Sequence, residues 1–374
     1  MTASELFIKK RLDDRRIAGN LRFLKPQNNL VDFCSNDYLG FARSPVLENK
    51  VEEEIKNNGK ASNGSTGSRL LSGNSDYALA LEEYIASVHQ SEASLLINSG
   101  YDANLGLFSS LPQRGDTIIT DELIHASVID GARLSYANRY TFKHNNLQSL
   151  EDKLKQAKGN CYVAIESVYS MDGDTPPIPE ILNLADKYKA HLIVDEAHAV
   201  GLYGLGLIDE SLKDRVFARI VTFGKALGCH GAVILGSTLL KEYLVNFARS
   251  FIYTTAAPFH QLAAVKTAYG LLLESADQAE ILQQNISLFK QNIKDNENYP
   301  LIKSDSGIQC IVLKSNEKAK LLAERLQKNG LDVRPILSPT VPAESERIRI
   351  CLHSFNTKNE ITLLTDIINS FINE

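Results

Sequence analysis

From residue 93 to residue 237 the chain repeats one pattern: a short β-branched run, then a stretch of helical periodicity. The runs are "ASLLI", "DTIIT", "RYTFK", "CYVAIES", "HLIVDEA", "RIVTFG" and "GAVILGS". All seven look like buried strands. Strands alternating with helices require crossover connections, which predicts an α/β domain built on a largely parallel sheet.

A separate small α+β unit is expected further on, with strands near "IQCIVL" and "RIRICL" and helices at about 316–329 and 357–373. Between the two, the pattern after Pro258 reads as one helical stretch to about 295. The first 45 residues read as a charged helix, a "KPQNN" loop and a strand-turn, giving expected divisions at 1–45, 46–265 and 266–374. The 374 residues are enough to bury a core of this size.

In an open α/β sheet, ligands bind beyond the carboxyl ends of the strands. One such end carries Asp195-Glu196-Ala197-His198, letters shared with a nucleotide-hydrolysing helicase motif. That chemistry also needs a glycine loop ending in Gly-Lys-Ser/Thr. The pairs Gly59-Lys60 and Gly224-Lys225 are each followed by alanine, with Glu54 and Arg219 where the loop's first glycine would stand. A net charge of −5 offers no footprint for a phosphate backbone either.

The charged start "MTASELFIKKRLDDRR" is unlike a signal peptide, and no stretch is apolar for long enough to cross a bilayer, so a cytoplasmic protein is expected. Five scattered cysteines, none in a Cys-x-x-Cys pair, point to reduced thiols. The eight histidines form no zinc-binding pattern, and no metal is expected.

Other strand ends carry reactive groups. Lys225 follows "RIVTFG" in a glycine-rich, apolar loop, where desolvation lowers an amine's proton affinity and suits it to Schiff-base formation. Asp195 is a candidate partner for the pyridine nitrogen of pyridoxal phosphate. In "NSGYDAN" a strand passes through Ser-Gly into a helix start, so the amides of Gly100 and Tyr101 could cradle a phosphate. His125, just before a helix, could stack on a planar ring. Arg347 and Arg349 share one strand face by the two-residue period, and one of them could clamp a carboxylate.

The ordered set "FCSNDYLG", "GSTGSRLLSG", "NSGYDAN", "HASVIDGARLS", "ESVYSMDGD", "VDEAHAVG", "TFGKALGCHG", "RSFIYTTAAP" and "SPTVPAESERIRI" closely resembles the α-oxoamine synthases, across essentially the whole chain. These are fold-type I enzymes dependent on pyridoxal 5′-phosphate. The resemblance implies a large domain with a mostly parallel seven-stranded sheet flanked by helices, and a smaller C-terminal α+β domain.

Residue by residue it implies Lys225 as the Schiff-base lysine, Asp195 at the pyridinium nitrogen, His198 at the phenolic oxygen and His125 stacked on the ring. The phosphate would lie on the Gly100 and Tyr101 amides and the Ser170 and Thr222 hydroxyls, with Thr254 and Thr255 completing it across a homodimer interface. Substrate would meet Arg349, Asn36, His125, Arg22 and Thr340.

The resemblance is strongest to members that join L-alanine to a pimeloyl thioester, on CoA or a carrier protein, in biotin synthesis. Relatives using glycine or serine with other acyl thioesters share the machinery, and a non-catalytic cofactor-binding protein is the reading from another class. Three departures stand out: Tyr101 where many members have phenylalanine, Thr66 in the "GSTGSR" loop, and "PAES" after Thr340 in place of a glycine-bearing turn.

Overall fold

A computed structural model describes residues 1–24, 26, 29–58, 62–294 and 296–374. Most of the "KPQNN" loop, the Gly59-Lys60 pair and the end of the helical stretch at 295 lie outside the described residues.

The strands in chain order are β1 Val31–Asp32, β2 Ala93–Ile97, β3 Thr117–Asp121, β4 Asn138–Phe142, β5 Cys161–Glu166, β6 His191–Asp195, β7 Ala218–Thr222, β8 Ala232–Gly236, β9 Ile308–Val312, β10 Leu331–Asp332, β11 Arg334–Ile336 and β12 Arg347–Cys351. The seven runs read from sequence form one sheet in the order β2-β8-β7-β6-β5-β3-β4. Strand β8 alone runs against its neighbours β2 and β7, and the other pairings are parallel. The fold is therefore α/β, with the mostly parallel seven-stranded sheet that the resemblance implies.

Both faces of the sheet are covered. Ile118, Ile220 and Ile234 pack beneath Leu107 and Phe108 of the helix Gly100–Ser110. On the other side, Val163, Leu192 and Val194 pack with Ile181 and Leu182 of the helix Ile178–Tyr188. Each fully buried aliphatic side chain contributes about 1.5–3 kcal/mol, which explains the apolar character of the central runs. The edge strand β4 departs from the expected burial: Asn138, Arg139 and Thr141 are exposed, because no further strand covers that side.

The helix Ala126–Leu134 lies close against Gly100–Ser110, and Gly131 permits it. A Cβ at 131 would come within 3.0 Å of the Asn104 carbonyl oxygen. That approach carries Asn104 and Ser127 into contact under the sheet's carboxyl edge, with Asn104 Nδ2 donating to Ser127 Oγ at 3.1 Å.

The helical stretch after Pro258 corrects the expectation of one helix: it is two, Phe259–Leu273 and Ala276–Asn292, parted at Glu274-Ser275. The Ser275 hydroxyl takes a local bond to the Leu272 carbonyl, the competition with helix that a serine offers. The expected division at 265 falls inside the first of these helices.

Beyond them, β11, β12 and β9 form an antiparallel sheet packed by the helices Asn316–Lys328 and Lys358–Ile372. One apolar core runs from Val221 and Val233 through Leu262 and Ile286 to Ile308, Ile350 and Ile361. The N-terminal segment joins this unit: β1 pairs in parallel with β10, Cys351 N donates to Phe33 O at 2.9 Å, and Ser354 N donates to Tyr38 O at 2.9 Å. Among the described residues no helix is long and apolar enough to cross a membrane.

Candidate active site

A cavity of about 270 Å³ opens where β3, β5, β6 and β7 end. Asn36, Gly100, Tyr101, Asn104, His125, Glu166, Asp195, His198, Thr222 and Lys225 line it. Eight of the fifteen residues singled out from sequence are in that set: Asn36, Gly100, Tyr101, His125, Asp195, His198, Thr222 and Lys225.

The helix Gly100–Ser110 points its N-terminus at the cavity. Ser99 caps it by accepting from Asp102 N at 3.1 Å, and the first amides of a helix have no partner within it. Position 100 has room only for glycine, because a Cβ there would strike the Thr222 methyl. Thr222 Oγ1 is buried beside it without a partner among the described residues. An unsatisfied hydroxyl next to open helix amides fits an anionic group such as a phosphate.

From the floor, Asp195 Oδ2 accepts from Asn104 Nδ2 at 2.7 Å and Oδ1 from Ala197 N at 2.9 Å. The relay continues through Ser127, whose hydroxyl, accepting from Asn104, can donate to His125 Nδ1 at 2.7 Å. That arrangement places the ring hydrogen of His125 on Nε2. Burial pulls the His125 imidazole below its ordinary range, against the pull of Asp195. Tyr101 stands edge-on to it, centroids 6.4 Å apart, with its hydroxyl bonded to Asp130.

His198 is held from the other side. Tyr38 Oη lies 2.8 Å from His198 Nδ1. Burial, with Lys225 and Arg349 adding like charge, pushes this imidazole well below its ordinary range. The one Tyr38 hydroxyl hydrogen is shared between His198 Nδ1 and Asn36 Oδ1, 3.2 Å away; when it goes to Nδ1, the hydrogen of the neutral ring is on Nε2, which is then a donor.

Lys225 sits in the turn joining the antiparallel β7 and β8, closed by Cys229 N to Phe223 O at 2.7 Å and Phe223 N to Gly231 O at 2.9 Å. Gly228, at φ +62°, completes the turn, and a Cβ there would strike the Ala42 backbone. Burial pushes the Lys225 amine down to about 8, against the attraction of Asp195 and Glu166. A half-buried amine at that value is a usable nucleophile and base near neutral pH.

Arg347 and Arg349 share a strand face but have different partners. Arg347 pairs with Asp172 and donates to Ser345 O at 2.8 Å. Arg349 donates from Nε to Ser170 O at 2.7 Å, from Nη2 to Asn36 Oδ1 at 3.0 Å and from Nη1 to Cys351 Sγ at 2.9 Å. It thereby ties Asn36, on the N-terminal segment, to the loop after β5.

The remaining candidates stand apart. Ser170 lies behind the wall: its amide donates to Glu166 and its carbonyl holds Arg349. Thr254 Oγ1 and Thr255 O both accept from Asn98 Nδ2, at 3.0 and 2.8 Å, off the cavity. Arg22 and Thr340 meet each other at 3.3 Å in a second cleft of about 490 Å³, lined also by Arg15, Phe23 and Lys320.

Sequence reasoning passed over Asn104, Ser127, Tyr38 and Glu166. All four lie inside the quoted motif runs, but their work is to hold another residue, which spacing does not reveal. The Glu196 of the helicase-like letters is buried and serves the fold: it pairs with Arg219 at 2.5 Å and accepts from Leu207 N at 2.6 Å and Ile208 N at 3.0 Å.

Residues 28–368 match the family model described as Aminotransferase class I and II. The chain is 40% identical to an 8-amino-7-oxononanoate synthase of Emericella nidulans, over 97% of this chain and 94% of that relative. A solved serine palmitoyltransferase of Sphingomonas wittichii superposes with a TM-score of 0.88 at 26% identity, covering 98% of this chain and 96% of the other. An 8-amino-7-oxononanoate synthase of Francisella tularensis superposes at 0.77 with 28% identity, covering 93% and 99%.

Proposed function

We propose, from the premise that the chain belongs to the aminotransferase class I and II family and within it to the α-oxoamine synthases, that it is an 8-amino-7-oxononanoate synthase. As a member it is a pyridoxal-phosphate-dependent acyltransferase. The proposed reaction condenses L-alanine with a pimeloyl thioester and releases carbon dioxide and the thiol, a step in biotin synthesis. The observation that carries the reading is the identity to the Emericella synthase along nearly the full length of both chains.

When bound, the cofactor supplies an electron sink for the amino acid's Cα. The chain's own residues do the rest. Lys225 Nζ is the amine that would hold the cofactor aldehyde and, once displaced by alanine, take the Cα proton. Asp195 would face the ring nitrogen, fixed in place by Asn104 and Ala197. His125 would cover one ring face, and His198 Nε2 would donate to the phenolic oxygen. The Gly100 and Tyr101 amides and Thr222 Oγ1 would take the phosphate, and Thr254 and Thr255 would contribute from a partner copy in a homodimer. Arg349 and Asn36 would hold the alanine carboxylate, and Arg22 and Thr340 the acyl chain.

Serine is the competing amino acid, because the superposition on a serine palmitoyltransferase is equally extensive. The test is aminoketone formation and carbon dioxide release with alanine, glycine or serine against pimeloyl, acetyl and palmitoyl thioesters, the pimeloyl group offered on CoA and on a carrier protein. Product from alanine and a pimeloyl donor is expected. Turnover with serine and palmitoyl thioester but not with that pair would overturn the assignment.

A further inference from the structure

Glu166 lines the same cavity as Lys225, and the functional reading leaves it without a task. It ends β5 in register with Asp195 at the end of β6, so two carboxyls leave adjacent parallel strands at one level. Their surroundings differ. Both oxygens of Asp195 accept hydrogen bonds. Glu166 Oε2 accepts from Ser170 N at 3.0 Å, but Oε1 is buried with no partner among the described residues, and the residue is only 3% exposed.

Neighbouring carboxyls in a site closed to water do not both ionise cheaply, and the less solvated one keeps its proton. Here the bonds select Asp195 as the acceptor-only group. Burial, then Asp195, pushes the Glu166 carboxyl up to about 8, against Lys225 and the amides of Ser170 and His125. The groups around it are Asp195 from β6, His125 from the loop after β3, Lys225 from the loop after β7 and Tyr169 on its own loop. Lys225 is met in turn by Arg349 and Cys351 of β12 and by His198.

We propose that Glu166 is a positioning residue that sets the proton affinity of Lys225: it carries a proton on its unpartnered oxygen, withholding the negative charge that would otherwise keep the lysine amine protonated. The same carboxyl fixes Ser170, whose carbonyl holds Arg349, so it couples the reacting amine to the carboxylate clamp. This rests on the proposed role of Lys225 and not on the identity of either substrate.

Glu166→Gln keeps the shape and cannot ionise. In the cofactor-free protein, acylation of Lys225 followed by mass spectrometry across pH needs no substrate, so its outcome is independent of the reaction assigned above. Glu166→Gln is neutral, as the proposed protonated carboxyl is, so the labelling midpoint is expected to stay within about half a unit of the parent's, a threefold limit. The absorbance titration of the bound cofactor is expected to stay likewise. Infrared difference spectra between the parent and Glu166→Gln are expected to show a protonated carboxyl at pH 7. A labelling midpoint moved to lower pH by more than that limit, which requires an ionised Glu166 in the parent, or no such band, would overturn the proposal. Should Glu166→Gln not fold, Lys225→Ala serves instead: without the cation, the carboxyl band is expected to persist to higher pH than in the parent, and an unmoved band would overturn it equally.

Discussion

Asn104 Nδ2 donates to Asp195 Oδ2 at 2.7 Å, and this bond between a helix and a strand end aims the cavity's central carboxylate. Asn104 is itself 1% exposed, its amide committed to this bond and to Ser127. Leaving a buried acceptor unsatisfied costs about 1–3 kcal/mol. Asn104→Ala is therefore expected to weaken pyridoxal-phosphate binding about tenfold or more, read by titrating the cofactor's absorbance into the cofactor-free protein.

Lys225→Ala is expected to keep the fold and lose turnover. The side chain makes no hydrogen bond that closes the turn, since backbone groups of Phe223, Cys229 and Gly231 do that. Removing the base should cost at least about 10²–10⁴ in rate. Product assays alongside thermal melting check both halves, and normal product formation would contradict the role given to this lysine.

Arg349→Lys keeps the charge but loses the planar fork that reaches Ser170, Asn36 and Cys351 together. KM for the amino acid is expected to rise about tenfold or more while cofactor absorbance stays unchanged. An equal loss in cofactor affinity would show that the arginine serves the fold and not the clamp.

His144 lies between Asp121, 2.9 Å from Nδ1, and Asp174, 2.7 Å from Nε2. Burial alone would lower its proton affinity, but the two carboxylates overcome it and raise the imidazole to about 9. The folded value exceeds the unfolded one, so the stabilisation is full below pH 6.5 and is lost as pH rises towards 9. A loss on the order of 1–3 kcal/mol is expected across that window in denaturant titrations. His144→Gln should flatten the dependence.

Arg219→Met removes the partner of a fully buried Glu196. Breaking such a pair from one side costs about 3–5 kcal/mol, which a shifted denaturation midpoint would show. Nucleotide hydrolysis is expected from neither the parent nor the variant.

The sheet was legible because its runs other than the edge strand β4 are mostly apolar, and Lys225 and Asp195 were legible because both follow such runs directly. What was not legible follows from strand order, which no local pattern encodes. Glu166 and Asp195 are level only because β5 and β6 are neighbours in register. Tyr38 reaches His198 across 160 residues, and Asn36 reaches Arg349 across 313. The break at Ser275 was hidden because the apolar spacing continues on both sides of it, and the turn is made by side-chain and backbone bonds that periodicity does not register.

The parallel pairing of β1 with β10 sets a clock on the site. Asn36 emerges early in synthesis, yet its segment is held by Leu331, Cys351 and Ser354, which emerge last. At about 5–20 residues per second the ribosome needs on the order of 15–60 s to travel between them. In about the last third of that interval, once β8 has emerged, the nascent chain can already form the strand ends bearing Asp195 and Lys225, but not the Asn36–Arg349 clamp. The half of the pocket proposed to hold the amino acid is thus the last to mature, and a chain cut short before it would carry the Lys225 amine without that half.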